Sequence, residues 1–198
     1  MKRIFDFLAS AIGLLLFGPL FLIIAAGCLL CQGRPVLFSQ ERPGVAGKIF
    51  RLWKFRTMRE DKNAAGEDIP DADRLTRWGL FLRATTLDEL PQLWNVLSGE
   101  MSLVGPRPLL VEYLPLYTLE QGRRHEVRPG LTGWAQVQGR NALTWEEKFK
   151  LDVWYVDHRS LWLDLKILLL TVITVLSCQG INQKGSHSME KFTGNEKI

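Results

Sequence analysis

The sequence predicts an α/β chain that is mainly helical, with an N-terminal re-entrant (broken) membrane helix, a small β-hairpin, and interfacial amphipathic helices around one compact domain. Three observations carry this. The run 7–31 holds no charged residue but has Gly18-Pro19 near its centre, two short aromatic-rich runs flank Arg42-Pro43-Gly44, and helical apolar spacing returns at 145–155 and 161–176. At 198 residues and 46% hydrophobic content, the chain is expected to build a single core, with about a quarter of it free for membrane contact. The expected division is a membrane helix over 1–33, a main domain over 34–180 and a polar tail over 181–198.

The apolar run spans about 37 Å at helical rise, enough to cross a hydrocarbon core of about 30 Å. A proline in a helix interior costs about 3 kcal/mol, so Gly18-Pro19 predicts two short helices rather than one. Basic residues flank both ends, Lys2 and Arg3 before it and Arg34, Arg42, Lys48 and Arg51 after it. If both ends favour the cytoplasmic side, the segment enters and returns. A straight span is one alternative, and a lipidation signal at Ala25-Ala26-Gly27-Cys28 is another, although Asp6 and the central proline suit such a signal poorly.

Residues 36–40 and 48–57 read as the two hairpin strands. The second carries Lys48, Arg51, Lys54, Arg56, Arg59 and Lys62 interleaved with Phe50, Trp53 and Phe55. That pattern fits a nucleic-acid surface, a membrane-facing rim or a charged edge that resists aggregation. Residues 63–73 read as a polar loop. The stretch 161–176 is short for a span, and with Trp162 near its start it reads as a helix lying in the membrane interface or packed in the core. Cys28, Cys31 and Cys178 are odd in number, and His125, His158 and His187 are scattered. Neither a disulfide framework nor a structural zinc site is expected. The net charge of +4 fits any anionic partner and does not choose among them.

The chemistry concentrates between Arg83 and Pro108. Asp88 and Glu89 are adjacent, bracketed by Arg83 and Arg107, and Arg107 lies in Val104-Gly105-Pro106-Arg107-Pro108. Thr86-Leu87-Asp88-Glu89 has the form of a helix capping box, so Glu89 has a purely structural reading as well. Either helix register leaves Asp88 at a positive helix end, where phosphate oxygens are also attracted. An ionised carboxylate beside a phosphate needs neutralisation, which Arg83, Arg107 and a Mg²⁺ ion held by Asp88 and Glu89 would supply.

These residues resemble a known family. Leu87-Asp88-Glu89-Leu90-Pro91-Gln92-Leu93 and Met101-Ser102-Leu103-Val104-Gly105-Pro106-Arg107-Pro108 are similar to motifs of the bacterial sugar transferases, specifically the small monotopic polyprenol-phosphate phosphoglycosyl transferases. Arg42-Pro43-Gly44, Lys54-Phe55-Arg56-Thr57-Met58, Pro129-Gly130-Leu131-Thr132-Gly133-Trp134 and Gly139-Arg140-Asn141 extend the resemblance over nearly the whole chain. It implies a Mg²⁺-dependent transfer of a sugar phosphate from a UDP-sugar to polyprenol (undecaprenyl) phosphate, releasing UMP, as the first membrane step of glycoconjugate assembly.

In that scheme Asp88 attacks the sugar-bearing phosphorus and holds a covalent phosphosugar, while Glu89 positions metal or manages the acceptor's proton. Arg83, Arg107, Lys54, Arg56 and Arg140 are the expected substrate-binding or supporting residues. Lys2 or Arg3 is expected to meet the lipid phosphate, and Gly18-Pro19 matches the family's helix break. Asp152, Tyr155, Asp157 and Asp164 also sit at motif positions. The implied location is the cytoplasmic face of the bacterial inner membrane, in contact with its lipids, with a homodimer left open and no nucleic-acid partner. The rival expectation, a lipid-binding scaffold without chemistry, predicts that Asp88→Asn leaves function intact.

Overall fold

The structure, a computed structural model, describes residues 1–59, 70–139, 142–176 and 191–194. Most of the expected 63–73 loop and most of the tail lie outside the described residues. The chain is mostly helical with a small two-stranded hairpin, as its sequence predicts. Helix α1 (Lys2–Leu16) stops at Phe17, and α2 (Gly18–Gln32) starts with Pro19 in its first turn, where a missing N–H costs no hydrogen bond. The two axes bend by 62° at this break. No single helix among the described residues is long and apolar enough to cross a membrane, but the bent pair is so in length and composition.

Strands β1 (Leu37–Pro43) and β2 (Ile49–Phe55) pair antiparallel, from Leu37 opposite Phe55 to Pro43 opposite Ile49. Arg42 and Pro43, expected in the turn, belong to the strand, and the reversal lies at Gly44–Lys48. Phe50 and Phe55 are buried, so β2 does not offer them as a base-stacking face. Its edge is closed by Asn95, whose side chain accepts from Trp53 N–H (3.1 Å) and donates to Arg51 O (2.7 Å).

A short helix α3 (Asp71–Arg74) precedes α4 (Arg77–Ala84), which is capped by Thr76 Oγ1 accepting from Gly79 N–H (2.9 Å). Such a cap is worth about 1 kcal/mol. Trp78 of α4 packs against Gly27 of α2, where an added Cβ would lie 2.5 Å from the indole. After a 3-10 turn at Leu87–Glu89, α5 (Gln92–Ser98) packs under α1. Strand β3 (Ser102–Val104) pairs parallel with β4 (Gly130–Thr132). Between them lie 3-10 turns at Val111–Leu116 and Arg123–Glu126, separated by α6 (Leu119–Gly122).

Helix α7 (Trp134–Gln138) leads to α8 (Trp145–His158), which opens on a true capping box formed by Thr144 and Glu147. Helix α9 (Leu161–Leu176) buries Asp164 and Ile167 and turns Trp162, Leu165, Leu169, Val172 and Ile173 outward. The broken pair leaves a comparable apolar surface, including Ile4, Leu8, Ile12, Leu16, Leu22 and Leu30. Exposed apolar surface of this extent marks an interaction or membrane face.

A buried polar knot ties α1 to the rest. Asp6 accepts from Ser102 Oγ (2.9 Å) and Leu103 N–H (3.2 Å), while Lys2 Nζ reaches Asp164 (2.7 Å) and Val104 O (3.0 Å). Tyr155 OH donates to the same Asp164 (2.6 Å). Tight backbone contact then fixes the segment after β3. A Cβ on Gly130 would sit 2.1 Å from Gly105 N, with backbone on both sides and no room to yield. Gly130→Ala is therefore expected to destabilise the fold by about 1–3 kcal/mol, read as a lower unfolding temperature.

Candidate active site

Asp88 and Glu89 lie in the 3-10 turn before α5, and the geometry there departs from the expected capping box. Thr86 takes a left-handed conformation (φ 57°, ψ 15°) and its side chain caps nothing in the turn. The reason is that Glu89 is engaged elsewhere. Its Oε1 accepts from Lys54 Nζ (2.6 Å) and Arg107 Nη2 (2.5 Å), and its Oε2 from Arg107 Nη1 (3.3 Å). A two-pronged guanidinium contact of this kind is among the stronger charge-assisted arrangements. β2 supplies the lysine, and the Pro106–Pro108 segment after β3 supplies the arginine.

Asp88 is as deeply placed, at 8% exposure, yet its carboxylate accepts no hydrogen bond among the described residues. Burial and the neighbouring Glu89 charge push its carboxyl up to about 6, against the pull of Lys54, Arg107 and Arg83. For Glu89 burial also pushes upward, but Arg107 and Lys54 outweigh it and hold the carboxyl well below the usual carboxylate range. Two adjacent carboxylates are thus driven apart, one clamped by two cations with its carboxyl lowered, the other without a hydrogen-bond partner among the described residues and with its carboxyl raised. Divergence of this kind is how neighbouring acids acquire different chemical roles.

Both face a cleft of about 930 Å³. Lys54, Arg56, Arg83 and Arg107 line it too, so the structure brings these expected residues to one place. Arg83 Nε donates to Thr57 Oγ1 (3.0 Å), and buried Arg56 donates to Gln32 O, linking the cleft floor to the end of α2. Arg140 lies outside the described residues. Lys2 and Arg3 do not line the cleft. Lys2 is in the polar knot, and Arg3 donates to Val96 O (2.5 Å) and Leu97 O (2.7 Å) at the end of α5. Their contacts anchor α1 and place neither cation beside the dyad. Gly18 and Pro19 form the bend, and the adjacent Phe17 reaches the cleft wall.

Sequence reasoning did not single out Arg124 or Lys148, which also line the cleft, and it read Arg42 only as a flanking basic residue and part of a motif. Burial and Arg107 lower the Lys148 ammonium to about 8 and the Arg42 guanidinium to about 10. No local pattern marks these cations, because they come from separate elements. Leu103, Leu131, Ala135, Leu168 and Val175 also line the cleft. The lining therefore combines cations suited to phosphates with apolar side chains.

The profile of the bacterial sugar transferases matches residues 1–178. The chain belongs to the bacterial sugar transferase family. This transferase is 54% identical over 198 residues to an uncharacterized sugar transferase, EpsL, of Bacillus subtilis, covering all of this chain and 98% of the relative. It is 44% identical over 185 residues to the UDP-glucose:undecaprenyl-phosphate glucose-1-phosphate transferase of Klebsiella pneumoniae, covering 86% of this chain but 39% of that enzyme. It is 40% identical over 196 residues to the exopolysaccharide production protein ExoY of Rhizobium meliloti, covering 90% of this chain and 87% of the relative. The chain thus spans about two fifths of the Klebsiella enzyme and nearly the full length of the other two.

Among the described residues no three His, Cys, Asp or Glu side chains converge as a ready-made metal cage. Mg²⁺ needs none, since it is commonly held by one or two carboxylates together with substrate phosphates. The uncommitted oxygens of Asp88 fit that role, and Glu89, whose oxygens already meet two cations, fits as the second and weaker contributor.

Proposed function

We propose that this chain transfers a sugar 1-phosphate from a UDP-sugar to undecaprenyl phosphate, releasing UMP and forming a polyprenyl diphosphosugar by way of a covalent Asp88 intermediate. The observation that carries the proposal is the asymmetric dyad: a buried, uncommitted Asp88 beside a Glu89 clamped by Lys54 and Arg107. The relatives named for undecaprenyl-phosphate sugar-phosphate transfer support the same reaction for this chain.

In the first displacement an Asp88 oxygen attacks the sugar-bearing phosphorus of the UDP-sugar. The bond from that phosphorus to the bridging oxygen breaks, the electron pair leaves with UMP, and Asp88 carries an acyl phosphosugar. In the second, an oxygen of the lipid phosphate attacks the same phosphorus, the Asp88–phosphorus bond breaks, and the carboxylate is regenerated. Transfer at phosphorus depends mainly on alignment and charge neutralisation, which Arg83, Arg107 and Lys54 provide. Bound Mg²⁺, held by Asp88 and Glu89 with the phosphates, would add neutralisation of the leaving UMP. Splitting the reaction lets one small site serve a soluble nucleotide and a bulky lipid in turn.

The broken α1–α2 pair is read as a re-entrant monotopic anchor at the cytoplasmic face of the bacterial plasma membrane. Helix α9 both exposes an apolar face and lends Leu168 and Val175 to the cleft lining, which supports entry of the acceptor from the bilayer. The test is product identity: with UDP-sugars, Mg²⁺ and undecaprenyl phosphate, the chain is expected to release UMP. Release of UDP instead would place the bond cleaved at the sugar carbon and defeat the proposal.

The first half-reaction needs ionised Asp88. With its carboxyl raised by burial and by Glu89, the ionised fraction rises with pH, so single-turnover UMP release without acceptor is expected to increase from pH 5 to pH 7. A flat profile across that window would contradict the assigned role.

A further inference from the structure

Arg107 meets Glu89, and its backbone carbonyl is held by a buried ion pair that lines the same cleft and is given no step in the chemistry above. Arg124, 3% exposed, donates from Nη2 both to Arg107 O (2.8 Å) and to Asp152 Oδ2 (2.7 Å). Its Nη1 donates to Tyr117 OH (3.1 Å), and the guanidinium lies 5.5 Å from the Phe149 ring centre and 5.7 Å from that of Tyr117. Asp152, on α8, is 4% exposed. Arg42 Nη1 also approaches Pro108 O (3.4 Å), and the prolines at 106 and 108 restrict the chain to either side.

A buried ion pair is an expensive way to fill space, since apolar residues of similar volume commonly stabilise a fold as well or better. Its contacts here offer a reason other than stability. The geometry points to the Arg124–Asp152 pair as a positioning device for Arg107. Asp152 fixes one edge of the Arg124 guanidinium, and Arg124 fixes the Arg107 carbonyl. The Arg107 side chain is thereby presented to Glu89 and to a phosphate in one orientation. Both are positioning residues acting through Arg107, and the inference rests on the reading of the cleft as a phosphate-transfer site.

The test compares four full-length proteins in lipid nanodiscs: wild type, Arg107→Ala, the paired replacement Arg124→Met with Asp152→Leu, and all three changes together. The paired replacement removes both charges at similar volume, so it is expected to unfold near the wild-type temperature. With Arg107 present it is expected to lower kcat for UMP release by about 10²-fold, the scale of a misplaced catalytic contact. In the Arg107→Ala background it is expected to cost less than about 2-fold, as for a residue whose effect runs through the missing one.

A second readout needs no turnover. The Arg107 Nε–H resonance in the ligand-free protein is expected to be distinct in wild type and to collapse toward the free-guanidinium position in the paired variant. Wild type that releases no UMP would defeat the proposed reaction while this resonance still reports on positioning. Equal losses in both backgrounds, an unchanged rate, an unchanged resonance, or a paired variant that does not fold would each overturn the inference.

Discussion

Asp88→Asn is expected to abolish transfer while making the protein more stable. Removing a nucleophile that carries a covalent intermediate typically costs about 10⁴-fold or more, so UMP release should fall to background. Stability moves the other way. A carboxyl raised to about 6 by burial and by Glu89 resists ionisation in the folded state. Its ionisation therefore costs the fold stability as pH rises through the window between the unfolded value and about 6. An amide of the same shape escapes this, worth on the order of 2–3 kcal/mol at neutral pH. The pair of measurements, activity and thermal unfolding at pH 7, separates a catalytic loss from a folding defect. A variant that keeps UMP release would remove Asp88 from the reaction, and a wild type that releases none would return the chain to the scaffold reading.

The second large effect is expected at Arg107. Arg107→Ala removes a fork that meets both Glu89 oxygens, and with it a fixed charge facing the phosphates. Loss of one preorganised electrostatic contact of this kind costs about 10²–10³-fold in rate. Arg107→Lys restores the charge but not the planar fork, so it should recover only part of the loss. Single-turnover rates with Asp88 intact distinguish the two variants. Equal activity of the lysine variant and wild type would show that charge alone matters there.

The helix break was legible because proline acts locally. Gly18-Pro19 could not continue α1, and the chain bends there. The hairpin and α9 were legible for the same reason, through short-range pattern. The dyad was legible as a pair, but its internal geometry was not. Thr86-x-x-Glu89 has the local form of a capping box, and the structure overrides it because Glu89 is claimed by Lys54, 35 residues back, and Arg107, 18 residues on. Genuine boxes form instead at Thr118 with Gln121 and at Thr144 with Glu147, the latter beside a region whose sequence shows mainly apolar spacing.

Lys2 and Arg3 illustrate the opposite difficulty. Basic residues at the head of an apolar segment suggest a lipid-phosphate contact, but nothing in their sequence shows that Lys2 also pairs with Asp164, 162 residues away, or that Arg3 meets the end of α5. Arg124 and Asp152 meet across 28 residues. No window of sequence holds both partners of any of these contacts, so their function emerges only once the elements are packed.

The central claim is that Asp88 carries the sugar phosphate. Intact-protein mass spectrometry after incubation with a UDP-sugar and Mg²⁺, without lipid acceptor, tests it most directly. The account predicts an added mass equal to one sugar phosphate, mapped to Asp88, absent from Asp88→Asn, and discharged on addition of undecaprenyl phosphate. An unmodified protein that releases UMP only when the acceptor is present would contradict it, and would make the reaction a direct transfer between the two substrates.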